Sequence, residues 1–209
     1  MERHMTDVLA GIEPKALWGH FDDIRKIPRP SRKEEAVRAH IQGWAADRGF
    51  ESVVDGAGNL IVYVPATQGF EAGETVILQG HLDMVCEKNE DTVFDFDKDS
   101  ILLARDGDWI SAQGTTLGAD NGIGVAAAMG LADDPSVKHG PLELLFTIDE
   151  ETGLNGAFNL DGSLFKGKNL INMDSEEWGY IFVGCAGGGD THLDLPLTRK
   201  PIPAGYATF

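Results

Sequence analysis

The chain has 209 residues, a formal net charge of −17 and an ordinary apolar share of 42%. That length and composition support a packed core, as one large domain or one domain with part of another. The negative charge disfavours DNA, RNA and anionic membrane as partners, and no apolar run in the sequence approaches the length of a membrane span.

The N-terminus lacks a signal-peptide core. Residues 1–5 read as an appended remnant or an upstream start. Pro14 suits the first position of a helix over Glu13 to Ile27, with Leu17, Phe21, Ile24 and Ile27 at helical spacing. Pro28 and Pro30 stop it. Ser31 and Glu34 have the spacing of a capping box. They open a second helix that runs to about Arg48, with Val37, Ile41, Trp44 and Ala45 on one face, and Gly49 ends it. A β-hairpin follows, Glu51 to Asp55 and Leu60 to Val64 around a Gly-Ala-Gly-Asn turn. Thr75 to Gly80 reads as a buried strand. Glu87 to Asp99 is acidic and loop-like. Ile101 to Gln113 reads as a second hairpin turning at 106–108, and Ala119 to about Asp133 as a helix that begins at an acidic cap. Leu142 to Ile148 and Leu170 to Met173 read as further buried strands, and the tail from Gly184 contains one strand-like stretch, Thr191 to Leu195. Helix and strand runs alternate, so the expected class is α/β: a mixed, largely buried sheet flanked by helices. Cys86 and Cys185 lie far apart and outside any C-x-x-C pair, which argues against a zinc ribbon and for a reducing, cytoplasmic compartment. Both read as small buried hydrophobes.

Four places share one design. Gln79-Gly80-His81-Leu82-Asp83 closes a strand, Gly118-Ala119-Asp120-Asn121-Gly122 opens a helix, Asp149-Glu150-Glu151-Thr152-Gly153 closes a second strand, and Asn172-Met173-Asp174-Ser175-Glu176 closes a third. Each sets a histidine or carboxylate outside the carboxyl edge of the expected sheet, where open α/β sheets build their sites. Imidazole with carboxylates suits zinc, with manganese and cobalt as competitors. Two such ions about 3.5–4 Å apart need a bridging carboxylate, and Asp120, at a helix start, is the candidate. Taken singly, His81 is an ordinary hydrogen-bonded histidine, Asp120 an N-cap, and Glu150, Glu151, Asp174 and Glu176 solvated acids. The coincidence of four such sites, each after a buried run, is what favours a metal centre. No H-E-x-x-H, G-x-S-x-G or P-loop offers a rival chemistry. Gly187-Gly188-Gly189 reads as a hinge.

These motifs, with Ile27-Pro28-Arg29-Pro30-Ser31, resemble those of the aminoacyl-histidine dipeptidases, a group within the co-catalytic two-zinc peptidases and aminoacylases. The likeness runs in order along essentially the whole chain. It implies that His81 and Asp174 hold one Zn2+, Asp120 bridges, and Glu151 holds the second. Asp83 orients His81, and Glu150 is the general base. It implies a cis peptide at Asp120-Asn121, a dipeptide as substrate and, for a full-length form, a homodimer as one open state. It also implies a division into residues 1–186, the N-terminal part of the catalytic domain, and 187–209, the start of an inserted lid. The resemblance further implies a last histidine for the second zinc that no position after Asp174 matches, so a truncated, poorly active chain is the expectation. His4, His20, His40, His139 and His192 read as structural or exposed. An aminoacylase or aminopeptidase of the same family, and a non-catalytic metal-binding module, are the alternatives.

Overall fold

Lys15–Ile24 forms α1, and Glu35–Asp47 forms α2. Pro14 takes the cap position with extended backbone, rather than the first helical turn. Phe21 and Ile24 on α1, and Val37, Ile41, Trp44 and Ala45 on α2, are all buried, as the helical spacing requires. The computed structural model describes residues 7–175, 177, 179–184, 187–189, 191–198 and 205; His4, Glu176 and Cys185 lie outside them.

A five-stranded sheet carries the site. Its strands are β1 (Glu51–Val54), β2 (Leu60–Val64), β3 (Val76–His81), β6 (Leu142–Thr147) and β7 (Asn169–Asn172), in the order β1-β2-β6-β3-β7. β1 with β2, and β2 with β6, pair antiparallel; β6 with β3, and β3 with β7, pair parallel. The mixed sheet follows from the chain: a short turn can return β1 into β2, whereas β3, β6 and β7 are joined by crossovers long enough to keep strands parallel. A separate hairpin, β4 (Leu103–Asp106) with β5 (Trp109–Ala112), turns where the sequence indicates.

The three central strands are apolar on both faces because both are covered. Leu60, Val62, Val64, Leu78, Leu142, Leu144 and Phe146 join the main core with α1, α2 and α3 (Ala119–Asp133). Ile61, Ile77 and Leu145 point the other way, against Leu160, Leu164 and Phe165. A short helix α4 (Asn155–Phe158) was not evident from the sequence.

Three expectations are corrected. β7 is exposed along its length: it is an edge strand, paired on one side only among the described residues. Residues 191–198 form no strand, because no neighbouring strand among the described residues supplies ladder partners. Ser31 and Glu34 do not form a capping box; no side chain caps α2. Both are drawn into the site instead.

The chain falls into two compact units, Met1–Glu176 and Glu177–Phe209. The second contains no helix or strand among its described residues, and Tyr180 and Phe182 stack within it. No helix among the described residues is long and apolar enough to cross a membrane.

Candidate metal centre

Because β3, β6 and β7 run parallel, their C-terminal ends share one edge of the sheet. His81 is the last residue of β3, Asp149-Glu150-Glu151 follows β6, and Asp174 follows β7. α3 begins at the same edge. Its first turn is irregular: Asp120 has an extended ψ of 116°, and the Asp120-Asn121 peptide is cis, as the resemblance implies. Asp120 is therefore not a helix cap. Its carboxylate leaves the helix axis and reaches His81.

The side chains converge on the His81 ring. Nε2 lies 2.9 Å from Asp120 Oδ1, 3.6 Å from Asp174 Oδ1 and 3.9 Å from Glu150 Oε2. Two sets of three ligand atoms lie within 4.8 Å of one another: His81 with Asp120 and Asp174, and His81 with Glu150 and Glu151. Asp120 and Glu151 also line one open cleft of about 340 Å³ with Val85, Thr116, Leu117, Gly118 and Ala119. Among the described residues, no lysine or arginine is ion-paired with Asp120, Glu150, Glu151 or Asp174. A histidine and carboxylates packed together without a protein cation form a donor set that fits a divalent ion.

The other ring nitrogen is held. Nδ1 lies 3.0 Å from the Asp83 carbonyl oxygen. A carbonyl only accepts, so Nδ1 carries the proton of that bond and Nε2 faces the carboxylates. Asp83 is fully buried, and its carboxylate is saturated. Oδ1 accepts from the Glu150 N–H (3.0 Å), while Oδ2 accepts from the Glu151 N–H (3.2 Å) and Ser31 Oγ (2.7 Å). Burial alone would raise its pKa, but the His81 ring, whose Nδ1 lies 3.4 Å from Oδ1, the two amides and Ser31 hold it down at about 2.

A second layer braces this one. Glu34, buried, accepts from the Asp149 N–H and the Arg32 N–H, both at 2.9 Å. Asn121 donates to Asp174 Oδ1 (2.7 Å) and to the Met173 carbonyl (2.9 Å). Arg29 is buried and donates through Nη1 to the Leu82 and Asp83 carbonyls (2.7 and 2.9 Å) and through Nη2 to the Gly118 carbonyl. These residues were not singled out as site residues by sequence reasoning. Arg29 and Ser31 stand in the Ile27–Ser31 stretch and Asn121 beside Asp120, so a signal was present for three of them. Glu34 carried only a capping signal.

Burial pushes the Glu150 and Glu151 carboxyls above their ordinary range, and neighbouring carboxylates push them further. Asp174 is raised too, first by burial. Of the other histidines, His20 is buried against Asp133 and His139 bonds the Gly140 carbonyl; His192 belongs to the second unit. Cys86 is half-buried and its thiol donates to the Met84 carbonyl.

Residues 77–194 match the model of peptidase family M20/M25/M40. The chain is 50% identical over 201 residues to the cytosol non-specific dipeptidase of Escherichia coli, covering 96% of this chain and 41% of that protein. Among solved structures, aminoacylhistidine dipeptidase from Vibrio alginolyticus superimposes with a TM-score of 0.80 at 48% identity, over 82% of this chain and 35% of that one. Aminopeptidase PepT from Bacillus cereus shares the fold, with a TM-score of 0.66 at 24% identity, over 78% of this chain and 43% of that one. The chain thus spans about two fifths of the length of its E. coli relative.

Proposed function

The chain belongs to peptidase family M20/M25/M40, and on that premise we propose that it carries the ligands and general base of a two-zinc centre that hydrolyses dipeptides. His81 and Asp174 would hold one ion and Glu151 the other, with Asp120 offered to both, and manganese or cobalt could replace zinc. When bound, the ions supply Lewis acidity, which acidifies water and polarises a peptide carbonyl. Glu150 takes a proton from the attacking water and returns it to the leaving amine; its raised pKa suits both directions of transfer. Asp83 fixes His81 through its carbonyl and holds the loop bearing Glu150 through its carboxylate. The single observation that carries this reading is the convergence of Asp120 and Asp174 on His81 Nε2 with no paired protein cation among the described residues.

The substrate class rests on the relatives: one is named a non-specific dipeptidase and the other an aminoacylhistidine dipeptidase. Broad or Xaa-His dipeptide hydrolysis in the cytoplasm is the corresponding proposal, with residues 1–186 as part of the catalytic domain and 187–209 as the beginning of a lid. The test is metal content measured beside turnover, in a form extended to the relatives' full length, of Xaa-His and other dipeptides, N-acyl amino acids and aminoacyl anilides. Zinc binding with preference for dipeptides supports the proposal. Preference for N-acyl amino acids or anilides replaces it with an aminoacylase or aminopeptidase, and no metal binding overturns it.

A further inference from the structure

The buried guanidinium of Arg29 has no carboxylate in hydrogen-bonding contact among the described residues. It donates instead to three backbone carbonyls, those of Leu82, Asp83 and Gly118. Two of these leave the end of β3, and the third immediately precedes the turn that carries Asp120. One rigid fork thus joins two segments whose separation sets the distance between His81 and Asp120. The Asp83 carbonyl receives Arg29 Nη1 and His81 Nδ1 together. Any movement of Arg29 therefore reaches the bond that orients the imidazole.

Burying a charge among carbonyls is unfavourable unless nearby charge offsets it. Burial does pull the Arg29 pKa down, to about 10, while the fields of Asp83, Asp120 and Glu151 support the cation. The offsetting charge is thus drawn from the site itself. An apolar side chain would fill the same space without that cost, but it could not hold three carbonyls in fixed relation.

Resting on the metal-centre reading above, we propose that Arg29 is a positioning residue of that centre: it sets the spacing of the His81 and Asp120 segments and thereby the affinity and coordination geometry of the ion they share. Arg29→Lys keeps the charge and loses the fork. Gly122→Ala keeps Arg29 and displaces it, because a Cβ at position 122 would lie 2.7 Å from Nη2. Alanine is favoured over glycine in a helix, so this variant is not handicapped by its own propensity.

The test is a cobalt(II) titration of the 209-residue chain, following visible d–d absorption, with thermal melting of each metal-free variant recorded separately. Both variants are expected to bind cobalt about 10–100-fold more weakly, the range seen when groups supporting metal ligands are removed, and to show a shifted d–d band at temperatures where the protein remains folded. A merely structural role would lower the melting temperature and leave the band of the folded protein unchanged; that result overturns the proposal. If Arg29→Lys does not fold, Gly122→Ala decides alone. Failure of the wild-type chain to bind cobalt would instead remove the metal-centre reading, and this proposal with it.

Discussion

The Asp83 carboxylate takes the backbone N–H of Glu150 at 3.0 Å, linking the residue that supports His81 to the loop that holds the proposed base. The Glu150 and Glu151 amides and the Ser31 hydroxyl all act as donors to that carboxylate. An asparagine there must turn an NH2 group toward one set of donors, leaving buried polar groups opposed. Asp83→Asn is therefore expected to weaken zinc binding about 10–100-fold and to displace Glu150 as well. Zinc competition against a chromophoric chelator measures the first effect. Wild-type affinity in a folded variant would refute the dual role.

The two glutamates should separate by experiment. In a full-length form, Glu150→Ala is expected to leave metal content intact and lower turnover by about 10²–10⁴-fold, the usual contribution of general acid–base catalysis. Glu151→Ala should lose an ion. Glu150 also lies among candidate ligand atoms with His81 and Glu151, so the comparison has two open outcomes. Equal metal loss in both variants would make Glu150 a ligand rather than a base.

The donor count predicts the behaviour of the isolated chain. In the proposed assignment one ion takes His81, Asp120 and Asp174, a set gathered within 4.8 Å, whereas the other takes Asp120 and Glu151, which line one cleft. Catalytic zinc sites usually keep three protein ligands. The 209-residue form should bind one ion firmly and turn over dipeptides poorly. Efficient Xaa-His hydrolysis by the purified form, free of host peptidase, would contradict this.

Metal binding should depend on pH through His81. Burial works to lower its pKa, but hydrogen bonds to Asp83 and Asp120 outweigh it, and the metal-free value rises from 6.5 to about 9. The folded value lies above the unfolded one. The proton therefore stabilises the metal-free fold fully below about pH 6.5, and that contribution is lost as pH rises through about 9. A metal must displace the same proton from Nε2. At pH 7, about two units below that value, apparent affinity should be about 100-fold weaker than its limit at high pH. Calorimetry in buffers of different ionisation heat should show about one proton released per ion near neutrality. No release would sink the prediction.

Gly80 lies beneath the site, and a Cβ there would collide with Asn121 Oδ1. Asn121 cannot yield without releasing Asp174 and the Met173 carbonyl. Gly80→Ala should cost about 1–3 kcal/mol in urea unfolding, as overpacking does, and should weaken zinc binding beyond what the equivalent change at exposed Gly43 causes. Equal effects at the two positions would refute the link.

The sheet and its helices were legible because their signals are local. A continuous apolar run marked β6, helical apolar spacing marked α1 and α2, and turn residues marked both hairpins, β2 among them. The ligand set was legible because the motifs fall at element ends, where a parallel sheet gathers them. What stayed hidden was non-local. Ser31 and Glu34 have the right spacing for a capping box, and nothing in their neighbourhood shows that Asp83 and the Asp149 N–H compete for them. β7 looked buried because Leu170 and Ile171 are apolar, yet both are more than half exposed. Apolar character gives no information about whether a strand lies at an edge.

The bonds that close the site join residues far apart along the chain: Ser31 to Asp83 across 52 residues, Arg29 to Gly118 across 89, and Glu34 to Asp149 across 115. Contacts of such separation are slow to form, because loop closure must precede any gain from them. Helical signal should thus recover early in refolding, and ion capture last. During synthesis the Arg29–Glu34 segment emerges first and waits for partners made much later. Three of the residues bracing the chemistry, Arg29, Ser31 and Glu34, lie before the start of the family match at residue 77. A fragment cut to that boundary would keep the ligands and lose the frame that sets their spacing.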